Sequence, residues 1–320
     1  MLILKKAKSR KIFWPQRLCL TKSGVLLIFL LSTIFLSGCS AVAQNFSLPP
    51  SLSKSVLRVI YFDVGQGDSA LIMTPENQTI LVDGGSDDKV LSRLGTYLPL
   101  GQKKIDVMIL THPHADHLDG LVEVLKRYEV GRIYYTGVLQ TTGTFLEWLK
   151  MIKEQKITLN LVKTKEDVKV GGVKLDFLYP IRDLSALGPA DLNKPELKSL
   201  ALSNLNNTSI VFKLIFGRTS FLFMGDAEVP VEKELFAQDA DVQADVLKIG
   251  HHGSNSSTNE EFLKAVNPKY AIISVGKNND FGHPHLRTLR RLERHGVEIL
   301  RTDEMGSVEL LSDGEKVGKK

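Results

Sequence analysis

From Val56 onward the chain alternates short apolar runs with longer amphipathic stretches, and the two periods divide it into strands and helices. Short runs rich in Val, Ile, Leu, Phe and Tyr predict strands over 56–63, 70–73, 79–83, 105–111, 132–135, 158–162, 173–179, 209–216, 219–224, 245–249, 270–274, 298–301 and 307–311. Stretches with apolar residues three or four apart predict helices over 88–98, 118–128, 144–156, 231–236, 259–266 and 285–295. Paired short strands with helices between them suggest two sheets sandwiched between helical layers. The segment 182–205 is rich in Leu, Ser, Asn and Pro without a clean period, so it reads as a surface insertion or lid near the site, or equally as a connector.

The N-terminus is patterned differently. Lys5, Lys6, Lys8, Arg10, Lys11, Arg17 and Lys22 occur before any acidic residue, and Val25–Leu36 is an apolar run of twelve, broken only by Ser32 and Thr33, too short for a comfortable membrane span. This is the layout of an export signal. Leu36-Ser37-Gly38-Cys39 resembles a bacterial lipobox, which would make Cys39 the lipidated first residue of the mature chain; the alternative is an uncleaved signal anchor with Cys39 a bystander. The expected organisation is a signal peptide over 1–38, a lipidated flexible tether over 39–55 containing Pro49-Pro50, and a catalytic domain over 56–315 on the outer face of a bacterial membrane. Cys19 leaves with the signal, so no disulfide is available.

Composition adds one exclusion. The 320 residues carry 41 Lys+Arg against 36 Asp+Glu, but the leader takes seven of the basic groups and none of the acidic ones. The remainder is close to neutral, so global charge gives no support for polyanion binding. A local basic patch is conceivable around Lys248, Lys277, Arg287, Arg290 and Arg291, although a solvated helix face accounts for the last three. No DNA-reading helix and no aromatic stacking motif is evident, and no protein partner is implied.

Chemistry concentrates in LTHPHADHLDG, where His112, His114, Asp116 and His117 follow the apolar run 105–110. Imidazole and carboxylate hold zinc or manganese while leaving coordination positions open, and the spacing lets one tight loop serve two ions. HxHxDH is the signature of the metallo-β-lactamase superfamily, and the flanking blocks resemble one branch of it. That branch is the extracytoplasmic hydrolase domain of the competence protein ComEC. FDVGQGDSALI, LVDGG, NNTSIVFKL, FLFMGDAE, ADVLKIGHHGS, AIISVGKNNDFGHPH and RTDEMGSV carry the resemblance in family order across 56–311.

The resemblance implies an αββα four-layer sandwich and metal-assisted hydrolysis by one or two divalent ions, Zn or Mn. Asp226 takes the place of the superfamily's bridging carboxylate, and Asp116 would orient the nucleophile while ligating. His251 fits the final ligand beside Asp116 and His117, with its neighbour His252 as the alternative. Many members supply a third histidine to the ion held by the first two, yet no histidine occurs between His117 and His251. Asn207, in the corresponding segment, offers a weak carbonyl ligand or holds a water, unless it is merely part of a surface turn. Asp83, before a Gly-Gly turn, is placed to orient a ligating imidazole; Asp63 and Asp68 are further candidates. Ser254 and Lys248 are candidates for phosphate binding, with helix capping the plainer role for the serine. His283 is a candidate proton donor to the leaving oxygen and His285 a candidate phosphate contact.

The substrate expected from the resemblance is a phosphodiester, with DNA outside the membrane foremost. The alternatives are an envelope phosphoester or small ester such as a lactone, and a catalytically weak metal-bearing binding lipoprotein. A nuclease calls for a basic, elongated groove at the metals and an esterase for a closed pocket.

Overall fold

The strands of this protein are apolar on both faces because each sheet is covered on both sides, and the side-chain alternation can be followed residue by residue. The computed structural model describes residues 56–185, 187–194, 202 and 204–320. The expected signal peptide, lipidated Cys39 and tether lie outside them. The first half contains β1 (Leu57–Tyr61), β2 (Ala70–Met73), β3 (Thr79–Val82), α1 (Lys89–Tyr97), β4 (Lys104–Ile109), α2 (Ala115–Leu125), β5 (Glu129–Tyr135), α3 (Gly143–Glu154) and β6 (Thr158–Leu161). The second half contains β7 (Glu166–Val170), β8 (Val173–Tyr179), β9 (Val211–Phe216), β10 (Thr219–Phe223), α4 (Val229–Ala237), β11 (Val246–Lys248), α5 (Glu260–Val266), β12 (Tyr270–Ile273), α6 (Leu286–Arg294), β13 (Glu298–Arg301), α7 (Thr302–Met305), β14 (Val308–Ser312) and β15 (Val317–Lys319).

One sheet runs β15-β14-β1-β2-β3-β4-β5-β6 and the other β13-β12-β11-β10-β9-β8-β7. Val59, Tyr61, Ile80, Val107 and Ile109 face Phe177, Phe212, Phe221, Phe223 and Val246 in the core between the sheets. There the rings of Phe212 and Phe223 stack with centroids 4.6 Å apart. The intervening Ile60, Leu81 and Met108 turn outward to meet Val90, Leu94, Leu121, Phe145 and Trp148 of the α1–α3 layer. Leu222, Leu247 and Ala271 likewise meet Val231, Leu235, Phe262 and Leu292 of the α4–α6 layer. The result is the αββα sandwich.

β3, β4, β5 and β6 are mutually parallel, as are β10, β11, β12 and β13. The C-terminal ends of parallel strands lie on one edge of a sheet, the usual place for a site in α/β architecture. Two strands escape the sequence pattern: β7 (EDVKV), antiparallel to β8, and β15, antiparallel to β14 and lying beyond the expected domain end at 315. Helix α2 begins at Ala115 rather than at 118, with His114 as its extended N-cap and Asp116 in its first turn. An acidic residue is favourable there. The described part of 182–205 packs Leu184 and Leu202 against Val138. Among the described residues, no helix is long and apolar enough to cross a membrane.

Candidate metal centre

Four chain segments leave the sheets at the same edge and bring their polar residues together. Asp83, just past β3, has a left-handed backbone and is fully buried. It accepts from the Thr111 N–H at 2.8 Å, the Thr111 hydroxyl at 2.7 Å and His117 Nδ1 at 2.9 Å. The β1–β2 loop closes over the same place: Asp68 N–H donates to the Asp116 carbonyl at 3.1 Å, and a Cβ on Gly67 would collide with that carbonyl oxygen. Asp226 follows β10, its N–H donating to the Ser209 hydroxyl at 3.0 Å. His252 follows β11, with Nδ1 donating to the Ser274 carbonyl at 2.9 Å.

These bonds fix the imidazole tautomers. With Nδ1 of His117 and His252 committed as donors, both Nε2 atoms are turned toward carboxylate oxygens. His252 Nε2 lies 3.2 Å from Asp116 Oδ2 and 3.4 Å from Asp226 Oδ2, and His117 Nε2 lies 3.4 Å from Asp226 Oδ2. His112 Nε2 and His114 Nδ1 face each other at 2.9 Å, the other nitrogen of His112 being engaged by Thr111 Oγ1 at 3.2 Å. Donor atoms of Asp116, His117, Asp226 and His252 form one group within 4.8 Å, and those of His112, His114 and Asp226 form a second.

Buried polar atoms need partners. His117 Nε2 and Asp226 Oδ1 are buried and have no hydrogen-bond partner. Charge points the same way. Burial would raise the Asp226 and Asp116 carboxyls, yet the neighbouring imidazoles hold both well below the usual range. Burial would lower His117 and His252, yet Asp226 with Asp83 or Asp68 drives them well above the imidazole range. The carboxylates demand positive charge, which a proton on each Nε2 or a divalent ion in its place supplies, so the residues fit one or two divalent ions with Asp226 common to both donor groups.

Several expected roles are corrected. His251 does not join either group: its Nδ1 is 3.1 Å from Glu228 Oε1 and 3.3 Å from Ser256 Oγ, and its Nε2 stays 4.0 Å from Asp226. His251 and His252 both have left-handed backbones, which swings the second ring inward. Asn207 is buried with Oδ1 accepting the Glu228 N–H at 3.0 Å, so Asn206 rather than Asn207 reaches the cavity described below. Lys248 is unavailable to a phosphate: it is buried, 2.7 Å from Asp68 Oδ2, and bonded to its neighbour's carbonyl. Asp68 in turn lies 3.2 Å from His252 Nδ1, a supporting role that the buried lysine charge explains. His285 caps α6 by accepting from Arg287 N–H at 3.2 Å. Ser254 bonds Ser256 at 2.9 Å in a loop tied to Glu228. His283 sits beside His251 with ring centroids 5.3 Å apart. Burial, aided by His251 and His252, lowers His283 to about 4, which leaves it neutral at ordinary pH and unsuited to strong proton donation.

A cavity of about 420 Å³ opens over the donors, bordered by Gln66, Ser86, His114, Asn206, His251 and Phe281 and reaching Asp116 and Asp226. Glu228, whose carboxyl would be raised by burial but is lowered by His251, Ser256 and Asn204, gave no sequence signal beyond adjacency to the GDA turn.

Residues 62–277 match the family model described as the metallo-beta-lactamase superfamily. ComE operon protein 3 of Bacillus subtilis is 31% identical over 300 residues, covering 87% of this chain and 36% of that protein. Competence protein ComA of Neisseria gonorrhoeae is 28% identical over 263 residues, covering 82% of this chain and 33% of that protein. The chain thus spans about a third of the length of these relatives. Among solved structures, the metallo-beta-lactamase fold protein YhfI of Bacillus subtilis aligns with a TM-score of 0.50 at 14% identity, covering 80% of this chain and 99% of that one, which shows the fold alone. With its signature loop at the junction of two sheets and the family model matched over most of its length, the chain belongs to the metallo-β-lactamase superfamily.

Proposed function

We propose that this protein is an exported, lipid-anchored phosphodiesterase that cleaves DNA outside the membrane. The observation that carries the reading is the pair of donor groups sharing Asp226 beneath an open cavity. A divalent pair supplies Lewis-acid activation of water and neutralises charge on the oxygens of a phosphoester. The chain does the rest. Asp226 and Asp116 remain ionised and are held in place by His117 and His252, and Asp83 keeps the His117 ring in one tautomer. His251 stands at the cavity edge with Nδ1 donating to Glu228, which leaves its Nε2 to accept from a water or a hydroxyl at the substrate. The basic leader, apolar run and LSGC tetrapeptide support export and acylation at Cys39. That the Neisseria gonorrhoeae relative is named a competence protein supports DNA as substrate.

A second reading, hydrolysis of an envelope phosphoester, is favoured by one observation: among the described residues, no Lys or Arg lines the cavity. Incubating the purified protein with end-labelled single- and double-stranded DNA and manganese or zinc separates the two. Cleavage that disappears in Asp226→Ala is the expected result. Intact DNA with folded, metal-loaded protein would transfer the assignment to envelope phosphoesters.

A further inference from the structure

A cleft that receives a polyanion without a basic side chain among the described residues of its lining calls for another source of affinity for the part of the substrate away from the metals. Phe281 is 69% exposed, and among the described residues it is the only Phe, Tyr or Trp that is exposed. A single exposed apolar side chain is ordinary in itself. This one borders the metal cavity and is held in place. One face rests on the His283 ring, with centroids 5.9 Å apart and planes 25° apart. Asn279 clamps the loop, its Oδ1 accepting from Phe281 N–H at 3.1 Å and His283 N–H at 3.0 Å, its Nδ2 donating to the Gly276 and His283 carbonyls at 3.0 and 2.6 Å. Gln66 on the opposite loop accepts from Gly276 N–H at 3.1 Å, tying the two sides of the cleft together.

The geometry points to Phe281 as a platform on which a nucleobase stacks beside the scissile phosphodiester, which makes the cleft a site for single-stranded nucleic acid. The inference rests on the nuclease reading above and narrows its substrate. A planar ring, pre-positioned and backed by an imidazole, offers sequence-independent stacking to any base. Bases inside a duplex already stack on one another, so the base must come from a single strand or a frayed end.

The test pairs binding with turnover. Phosphorothioate single strands, with bases or fully abasic, are titrated against the metal-loaded full chain carrying Phe281→Trp. The indole at 281 reports stacking by quenching, read as the difference from the native full chain so that Trp14 and the buried Trp148 cancel. Quenching by the base-bearing strand only is expected. By anisotropy of the same strands carrying a dye, Phe281→Ala should weaken binding of the base-bearing strand roughly tenfold and leave the abasic strand unchanged, and Phe281→Tyr should restore it. Equal binding of the two strands, or no effect of Phe281→Ala, would overturn the platform. Base-dependent binding without DNA cleavage leaves the platform standing and removes the nuclease reading. Equal kcat/KM on cleavable base-bearing and abasic strands removes the platform and keeps the nuclease.

Discussion

Two successive left-handed residues, His251 and His252, turn the chain after β11 so that the second imidazole meets Asp116 and Asp226 while the first meets Glu228. His252→Ala should therefore lower metal retained after dialysis, measured by elemental analysis, with at least a tenfold loss of affinity at the Asp116 group. His251→Ala should keep its metal and lose turnover. Equal metal loss in the two variants would refute the assignment. The HxHxDH loop was legible because its donors are set by local spacing, whereas the choice between adjacent histidines depends on the sign of φ at two residues. Gly250 and Gly253 flanking the pair were the available hint that the strand did not simply continue. Asn206 and Asn207 show the same limit, since a single 3₁₀ turn sends one to the cavity and the other to the Glu228 backbone.

Helices α4 and α5 are joined through a buried carboxyl. Glu232 on α4 accepts the N–H groups of Thr258 and Asn259, the latter at 3.0 Å, where α5 begins. Burial raises its carboxyl from 4.5 to about 7 against the pull of those two N–H donors. The native state consequently holds its proton where the unfolded chain has lost it. The contribution is fully present below pH 4.5 and disappears as pH rises through about 7. Its span is roughly 3 kcal/mol. Thermal unfolding of the native protein and Glu232→Gln at matched pH should show the native advantage shrinking between pH 5 and pH 8; a constant difference would refute it. Element prediction succeeded where strands are apolar on both faces, since such runs leave little alternative. It failed at β7 and β15, the outer strands of their sheets, whose Glu, Asp and Lys hide the alternation. Charged edges of this kind also discourage pairing with other chains.

At the scale of the whole molecule, the donors tie together two sheets that meet mainly through side chains, with backbone bonds such as Ile210 N–H to the Thr111 carbonyl at 2.9 Å beside them. His112, His114, Asp116 and His117 come from the β4–α2 junction of one sheet, and Asp226 and His252 from β10 and β11 of the other. That these edges coincide is a non-local fact: periodicity gave the strands, but only the motif resemblance carried Asp226 to the same place. A metal bound across the junction binds the native state and has no comparable site in the unfolded chain, so it stabilises by mass action. At 100 times its dissociation constant the gain is about 2.7 kcal/mol, which for a domain of this size raises Tm by roughly 5–10 °C. Calorimetry in chelator and in excess manganese or zinc should show that rise, with Asp226→Ala losing most of it because both donor groups include that carboxylate. A Tm indifferent to metal in the native protein would mean that the converging lone pairs are satisfied some other way, and the hydrolytic reading would lose its foundation. A rise surviving Asp226→Ala would place the ion elsewhere, for which the neighbouring Asp68, Asp83 and His117 group is the remaining buried candidate among the described residues.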